Sequence, residues 1–151
     1  MSGPDGKRQA ALVPFIEEGT AVKLIGLGGV GGIVARYLSM FLASLDRDLR
    51  LVLIDGDEFE PSNATRMFFS NHGNKAAVTR ADLRDRFAHT SLMLTALEQY
   101  VEPGNIGRLI QNDDVVILTV DNHATRKLVG DYCRTRLEDV CLISGGNDGV
   151  G

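Results

Sequence analysis

A glycine-rich turn between an apolar strand-like run and a long apolar segment constrains this chain more than any other feature. Ala21 to Ile25 (AVKLI) reads as a buried strand. Gly26, Leu27, Gly28, Gly29, Val30 and Gly31 then satisfy GxGxxG, with Gly32 extra. Ile33 to Leu45 carries apolar residues nearly all round, as a helix packed on a sheet does. Strand, glycine turn and helix in that order is the setting in which such a motif brings backbone close to a phosphate. Amides of Gly28, Gly29 and Val30 at a helix start would offer donors to an anion, aided by the helix dipole. Gly26 and Gly31 of the same turn are further candidate cofactor-binding positions. The plainer alternative is that the glycines serve only close strand-to-helix packing.

A second stretch, Leu51 to Arg66 (LVLIDGDEFEPSNATR), points the same way. Leu51 to Ile54 is a β-favouring apolar run, and it ends on Asp55, Gly56 and Asp57. Two carboxylates thus stand at a strand's carboxyl end, where open α/β sheets bind ligands. Asp55 follows Gly31 by 24 positions, close to the spacing of about 20 residues at which a dinucleotide fold places its ribose-binding acid. Glu58 to Pro61 is expected as a loop. Ser62, Asn63, Ala64, Thr65 and Arg66 follow, a polar group with one fixed cation. Asp55 and Asp57 also suit a plain turn, and a basic residue is ordinarily a surface charge.

Along the rest of the chain, strands alternate with helices. Met1 to Gly6 is expected to be disordered, and Lys7 to Glu18 has apolar residues at helical spacing with Pro14 arguing for a kink. Met67 to Asn74 is expected as an irregular connection, Lys75 to Phe87 as a helix, Ser91 to Leu97 as a strand and Asn105 to Asn112 as a short helix or turn. Val115 to Val120 reads as a buried strand, and it too ends at an acid, Asp121. Ala124 to Leu137 is an amphipathic helix, for which Asp121 could serve as N-cap. Val140 to Ser144 is a last strand before a glycine-rich tail. The alternation predicts an α/β fold of Rossmann-like, doubly wound type: a mostly parallel sheet with helices on both faces. Ala21 to Ile25 should be central, with the strand ending at Asp55 on one side and the strand ending at Asp121 on the other.

Composition narrows the function classes. With 151 residues, 44% hydrophobic and 24% charged, the chain is the size of one ordinary domain. A net charge of −4 with scattered basic residues argues against nucleic acid as the main partner. No apolar run is long enough to span a bilayer, and the amino terminus lacks a signal-peptide core, so no membrane role and a cytoplasmic setting are expected. Cys133 and Cys141 form neither a disulfide framework nor a metal knuckle and are expected in the core. His72, His89 and His123 have no partners at metal-binding spacing.

Four segments, in order, resemble the ThiF/MoeB family, the adenylylating domain shared with ubiquitin-activating enzymes. They are GLGGVGG at Gly26 to Gly32, DGDEFEPSNATR at Asp55 to Arg66, Asn74-Lys75-Ala76, and VDNHATR at Val120 to Arg126. The resemblance implies activation of a carboxylate with ATP and Mg2+. The substrate would be the carboxy-terminal glycine of a ubiquitin-like or sulfur-carrier protein, or a peptide. It also implies a homodimer or a pairing with a related subunit. Under it Asp55 takes the ribose hydroxyls and Asp57 orients the neighbouring polar groups. A carboxylate meeting a phosphate brings two anions together, so the site must supply positive charge. Arg66 and Lys75 are the candidate cations, Asn63 a neutral donor, and Asp121 the candidate magnesium ligand. The substrate carboxylate is itself the nucleophile.

Three departures from the family pattern are visible. Met67 stands where a glutamine commonly follows the arginine. The amino-terminal segment lacks the usual arginine-rich pattern, with Arg8 a loose candidate. The glycine-rich segment after Ser144 stands where family domains continue with more sheet and a crossover loop. The expected organisation is therefore an amino-terminal tail and helix over 1–20 and a nucleotide-binding unit over 21–151 lacking the family's carboxy-terminal half. Two rival readings stay open. One is an NAD-binding domain of an oxidoreductase, which shares the glycine turn and Asp55 but does not account for SNATR, Lys75 or VDN. The other is a non-catalytic scaffold that keeps the fold.

Overall fold

The computed structural model describes residues 16–59 and 73–145. Five parallel strands make the main sheet: β1 (Ala21–Ile25), β2 (Leu49–Ile54), β5 (Leu92–Leu97), β6 (Val115–Leu118) and β7 (Cys141–Ser144). Their spatial order is β5-β2-β1-β6-β7, the doubly wound order with the first strand central. The register pairs Ile25 with Ile54 on one side and with Leu118 on the other. The ends of β2 and β6, which precede the candidate acids, therefore lie at the same end of the sheet, one on each side of β1.

Helices cover both faces because the central strands are apolar on both faces. Val22 and Leu24 of β1 and Leu49, Leu51 and Leu53 of β2 join Ala35 and Leu42 of helix α1 (Gly29–Ser44) and Ala76 and Leu83 of helix α2 (Lys75–Arg84) in one core. Ile25, Val52, Ile54, Val116 and Leu118 point the other way. They meet Ile106 and Leu109 of the short helix α3 (Ile106–Leu109) and Val129 and Cys133 of α4 (His123–Arg136). Full burial of one such side chain contributes about 1.5–3 kcal/mol. Three aspartates at positive φ, Asp46, Asp113 and Asp139, turn the chain into β2, β6 and β7, a conformation that aspartate tolerates better than most residues.

Some expectations are corrected. Glu58 and Phe59 are not loop: they form a short strand, β3 (Glu58–Phe59), antiparallel to β4 (Gly73–Asn74). That pairing also gives regular structure to the end of the supposed irregular connection. Helix α1 starts at Gly29, before Ile33, because glycine in the turn does not prevent helical φ/ψ. Helix α2 ends at Arg84 rather than Phe87, where the Arg86 amide turns back to Leu83 O. Ile16 to Glu18 are not helical, while the rest of the expected amino-terminal helix, the tail at 1–6, Pro61 and the glycine-rich tail from 146 lie outside the described residues. Cys133 is buried as expected, but Cys141 is exposed, since β7 is the last strand of the sheet order and most of its residues face outward. Although α1 is apolar nearly all round, Val30, Ile33, Tyr37, Met40 and Phe41 are exposed and only its other side packs. Among the described residues no helix is long and apolar enough to cross a membrane.

Lys23 is the polar exception inside the second core. Its ammonium lies 3.0 Å from Asp114 Oδ2 and donates to Leu109 O at 2.6 Å, with both side chains more than nine-tenths buried. Asp114 also accepts the Gln111 amide at 2.8 Å, so the pair pins the α3–β6 connection to the central strand. Replacing Asp114 by Ala leaves a buried ammonium without its counter-charge. Urea denaturation should show Asp114→Ala less stable by about 3–5 kcal/mol, the usual cost of breaking a buried pair from one side.

Candidate functional site

The glycine turn is held against two neighbouring strand ends. Gly26 has φ +97°, and a Cβ there would come within 2.7 Å of Val120 Cγ1 and 2.9 Å of Val120 N. A Cβ on Gly31 would lie 1.9 Å from Gly26 O and 2.9 Å from Thr119 Oγ1. These two glycines are therefore required by close approach. Around Gly28, Gly29 and Gly32 there is open space where a side chain would be. Gly28 caps α1 without any side-chain hydrogen bond, so the first amides of the helix sit in a bare backbone cradle of the kind that accepts anions.

Asp55 locks that cradle to the end of β2. Its Oδ2 accepts the Leu27 amide at 2.7 Å and its Oδ1 accepts the Asp57 amide at 2.8 Å. A carboxylate has about four lone-pair positions, so capacity remains for hydroxyl donors. Asn74 joins the same corner: its side chain donates to Asp55 O at 2.9 Å and caps α2 by accepting from Ala76 N and Ala77 N. The cap places Lys75 at the first position of α2, and the Lys75 amide donates to Asp57 O at 2.8 Å. The Lys75 ammonium stands 3.7 Å from Asp57 Oδ2 and 5.8 Å from the centre of the Phe59 ring, with its side chain 14% exposed.

The structure thus brings together Gly26, Gly28, Gly29, Val30, Gly31, Asp55, Asp57 and Lys75. Asp121 follows Val120, the residue packed on Gly26, and is exposed beside the turn. It does not cap α4. That role belongs to Asn122, whose side chain accepts from Ala124 N and Thr125 N. Asn63 and Arg66 lie outside the described residues. Arg126 ties α4 to the end of β7 through Ser144 Oγ at 2.9 Å and Gly145 O at 3.0 Å.

Two residues of the corner escape sequence reasoning. Thr119 is buried with its hydroxyl 2.6 Å from Gly26 O and 3.2 Å from Ile25 O. Tyr100, in the loop after β5, donates its hydroxyl to Asp57 Oδ1. Neither has a local signature. The capping role of Asn74 did have one, a short polar side chain just before a run of helix formers.

Two outcomes follow. Gly31→Ala should fail to reach the native turn, read as a large fall in thermal midpoint or loss of soluble protein, because the clash is with backbone. The Tyr100 phenol is held protonated above its ordinary range, first by its hydrogen bond to Asp57, then by burial and the charges of Asp57 and Asp55. A raised value means that this contribution to stability is present below the ordinary phenol value, about 10, and is lost as pH rises through the folded one. Ultraviolet titration should show Tyr100 ionising later than a free phenol, and Asp57→Asn should return it toward that value.

Residues 8–149 match the ThiF family. Protein HesA, vegetative, of Trichormus variabilis is 29% identical over 135 residues, covering 84% of this chain and 49% of that protein. SAMP-activating enzyme E1 of Haloferax volcanii is 27% identical over 127 residues, covering 82% and 44% respectively. The chain spans less than half the length of these relatives. Among solved structures, E. coli MccB superposes with a TM-score of 0.65 at 21% identity, covering 84% of this chain and 34% of that one. MccB with ATP gives 0.61 over 76% of this chain and 33% of that one. At such identity the likeness is one of fold. With a family match over nearly its whole length, and the strand order, glycine cradle and strand-end acids described above, this chain belongs to the ThiF family.

Proposed function

We propose that this chain carries the nucleotide site of an adenylyltransferase that activates a carboxylate with ATP. The observation that carries the reading is the Lys75 ammonium, largely withdrawn from water and 3.7 Å from Asp57, in the corner that Asp55 and Asn74 tie together. A cation in that place suits a polyanionic substrate. The names of two relatives, SAMP-activating enzyme E1 and adenylyltransferase and sulfurtransferase MOCS3 of Drosophila sechellia, support it. The substrate proposed is the carboxy terminus of a ubiquitin-like or sulfur-carrier protein or of a peptide, and the working unit a homodimer or a pair with a related subunit.

Each residue has a physical task in this reading. The amides of Gly28, Gly29 and Val30 receive phosphate oxygens, and Asp55 accepts ribose hydroxyls with its remaining lone pairs. Lys75 and Arg66 balance the charge that grows as the substrate carboxylate approaches the α-phosphorus, and Asn63 donates without charge. Among the described residues no three His, Cys, Asp or Glu side chains cluster as metal ligands. A cation held mainly by phosphate oxygens and water needs only one or two protein carboxylates, and Asp121, exposed beside the glycine turn, would be that ligand. Bound there, Mg2+ would supply charge neutralisation at the phosphates.

The test uses the protein with its carboxylate substrate. Arg66→Ala and Lys75→Ala should each lower adenylylation by about 10²-fold or more, as loss of a transition-state donor does, with ATP affinity changing much less. Asp121→Asn should raise the magnesium concentration needed for activity. Normal adenylylation in all three variants, or tighter binding of NAD than of ATP in a competition titration, would defeat the proposal.

A further inference from the structure

Asp57 has two oxygens and two different neighbours. Oδ1 accepts the Tyr100 hydroxyl, and Oδ2 faces Lys75 across 3.7 Å. A hydrogen-bonded ammonium–carboxylate pair closes to about 2.7–2.9 Å, so Lys75 is attracted to Asp57 without spending a donor on it. The phenol that holds the carboxylate in this pose is itself fixed. Its ring lies against Gly56, where a Cβ would come within 2.5 Å of Tyr100 Cδ2. Its backbone carbonyl accepts from the Asn105 side chain at 2.8 Å, and Asn105 in turn accepts the Glu102 amide at 2.8 Å. Glycine between the two aspartates therefore has a function beyond turning: any side chain at position 56 would displace the ring.

We infer that Tyr100 is a positioning residue: by occupying one oxygen of Asp57 it keeps the other from bonding Lys75, and so leaves the ammonium's donors for the anionic group of the substrate. This inference rests on the adenylylation reading for the identity of that anion. Without the phenolic hydroxyl, the exposed carboxylate is released to turn toward Lys75 and close a full ion pair. Lys75 would then be neutralised by its own neighbour. The same loss would be undone by making position 57 neutral, which is not expected of a tyrosine that merely packs.

The experiment compares the 151-residue chain with Tyr100→Phe and with Tyr100→Phe/Asp57→Asn. Phenylalanine keeps the ring over Gly56 and removes only the hydroxyl. Acylation of Lys75 by an amine-reactive ester is followed peptide by peptide by mass spectrometry, with the exposed Lys127 as internal reference. An ammonium engaged by a carboxylate is less available to react, so Tyr100→Phe should slow Lys75 labelling about threefold to tenfold. The double variant should restore it to within about twofold. Calorimetric Mg-ATP affinity should change far less than the labelling rate across the three proteins, as for Lys75→Ala, since Lys75 acts mainly in the transition state. Labelling at the unmutated rate in Tyr100→Phe, or slow labelling that persists in the double variant, would overturn the inference. If the unmutated chain binds no Mg-ATP, the adenylylation reading fails, whereas labelling slowed and then restored still supports Tyr100 as the residue that positions Lys75.

Discussion

The Asp55 carboxylate accepts the Leu27 amide on one oxygen and the Asp57 amide on the other, and the geometry of the corner follows from those two bonds. One draws the glycine turn onto the end of β2, and the other fixes the course of the chain beyond that strand. Asn74 then bonds Asp55 O and starts α2, so that Lys75 is delivered to the same place. A backbone cradle, a partly satisfied acid and a largely buried cation are thus set by a few short bonds between segments distant in sequence. Such preorganisation lets charge be stabilised as it develops without the site rearranging first.

The two-sided core makes this corner possible. A parallel strand buried on both faces must be apolar nearly throughout, and β1 and β2 meet that demand except at Lys23 and Arg50. Arg50 is exposed, whereas Lys23 is neutralised by Asp114 and anchors the connection into β6. That connection leads into the strand after which Thr119 and Val120 close on Gly26. The buried pair acts at a distance, by positioning β6, rather than at the site itself.

Much of this was legible in the chain. The strand, glycine turn and helix, the apolar run ending in Asp-Gly-Asp, and the alternation of elements are short-range patterns whose physical causes are local: β-branched packing, helical periodicity, and glycine's lack of a Cβ. They sufficed for the doubly wound order and for setting Asp55 and Asp57 at the end of β2, whereas Lys75 was singled out only through the family resemblance. The family resemblance rested on the same segments and agrees with the match over residues 8–149. Where expectation failed, a local preference was overridden by pairing or exposure. Glu58 and Phe59 became a strand because Gly73 and Asn74 lie opposite them, and Cys141 is exposed because β7 ends the sheet order.

By itself, then, the sequence determined the architecture and set Asp55 and Asp57 at the carboxyl end of a central strand, because periodicity and turn chemistry are written within a few residues of each other. Only the tertiary structure decided how those groups are poised. The Tyr100–Asp57 bond spans 43 positions and the contact of Lys23 with Leu109 spans 86. No local pattern encodes such pairs, since they exist only when neighbouring strands and the loops beyond them have been brought to their final register.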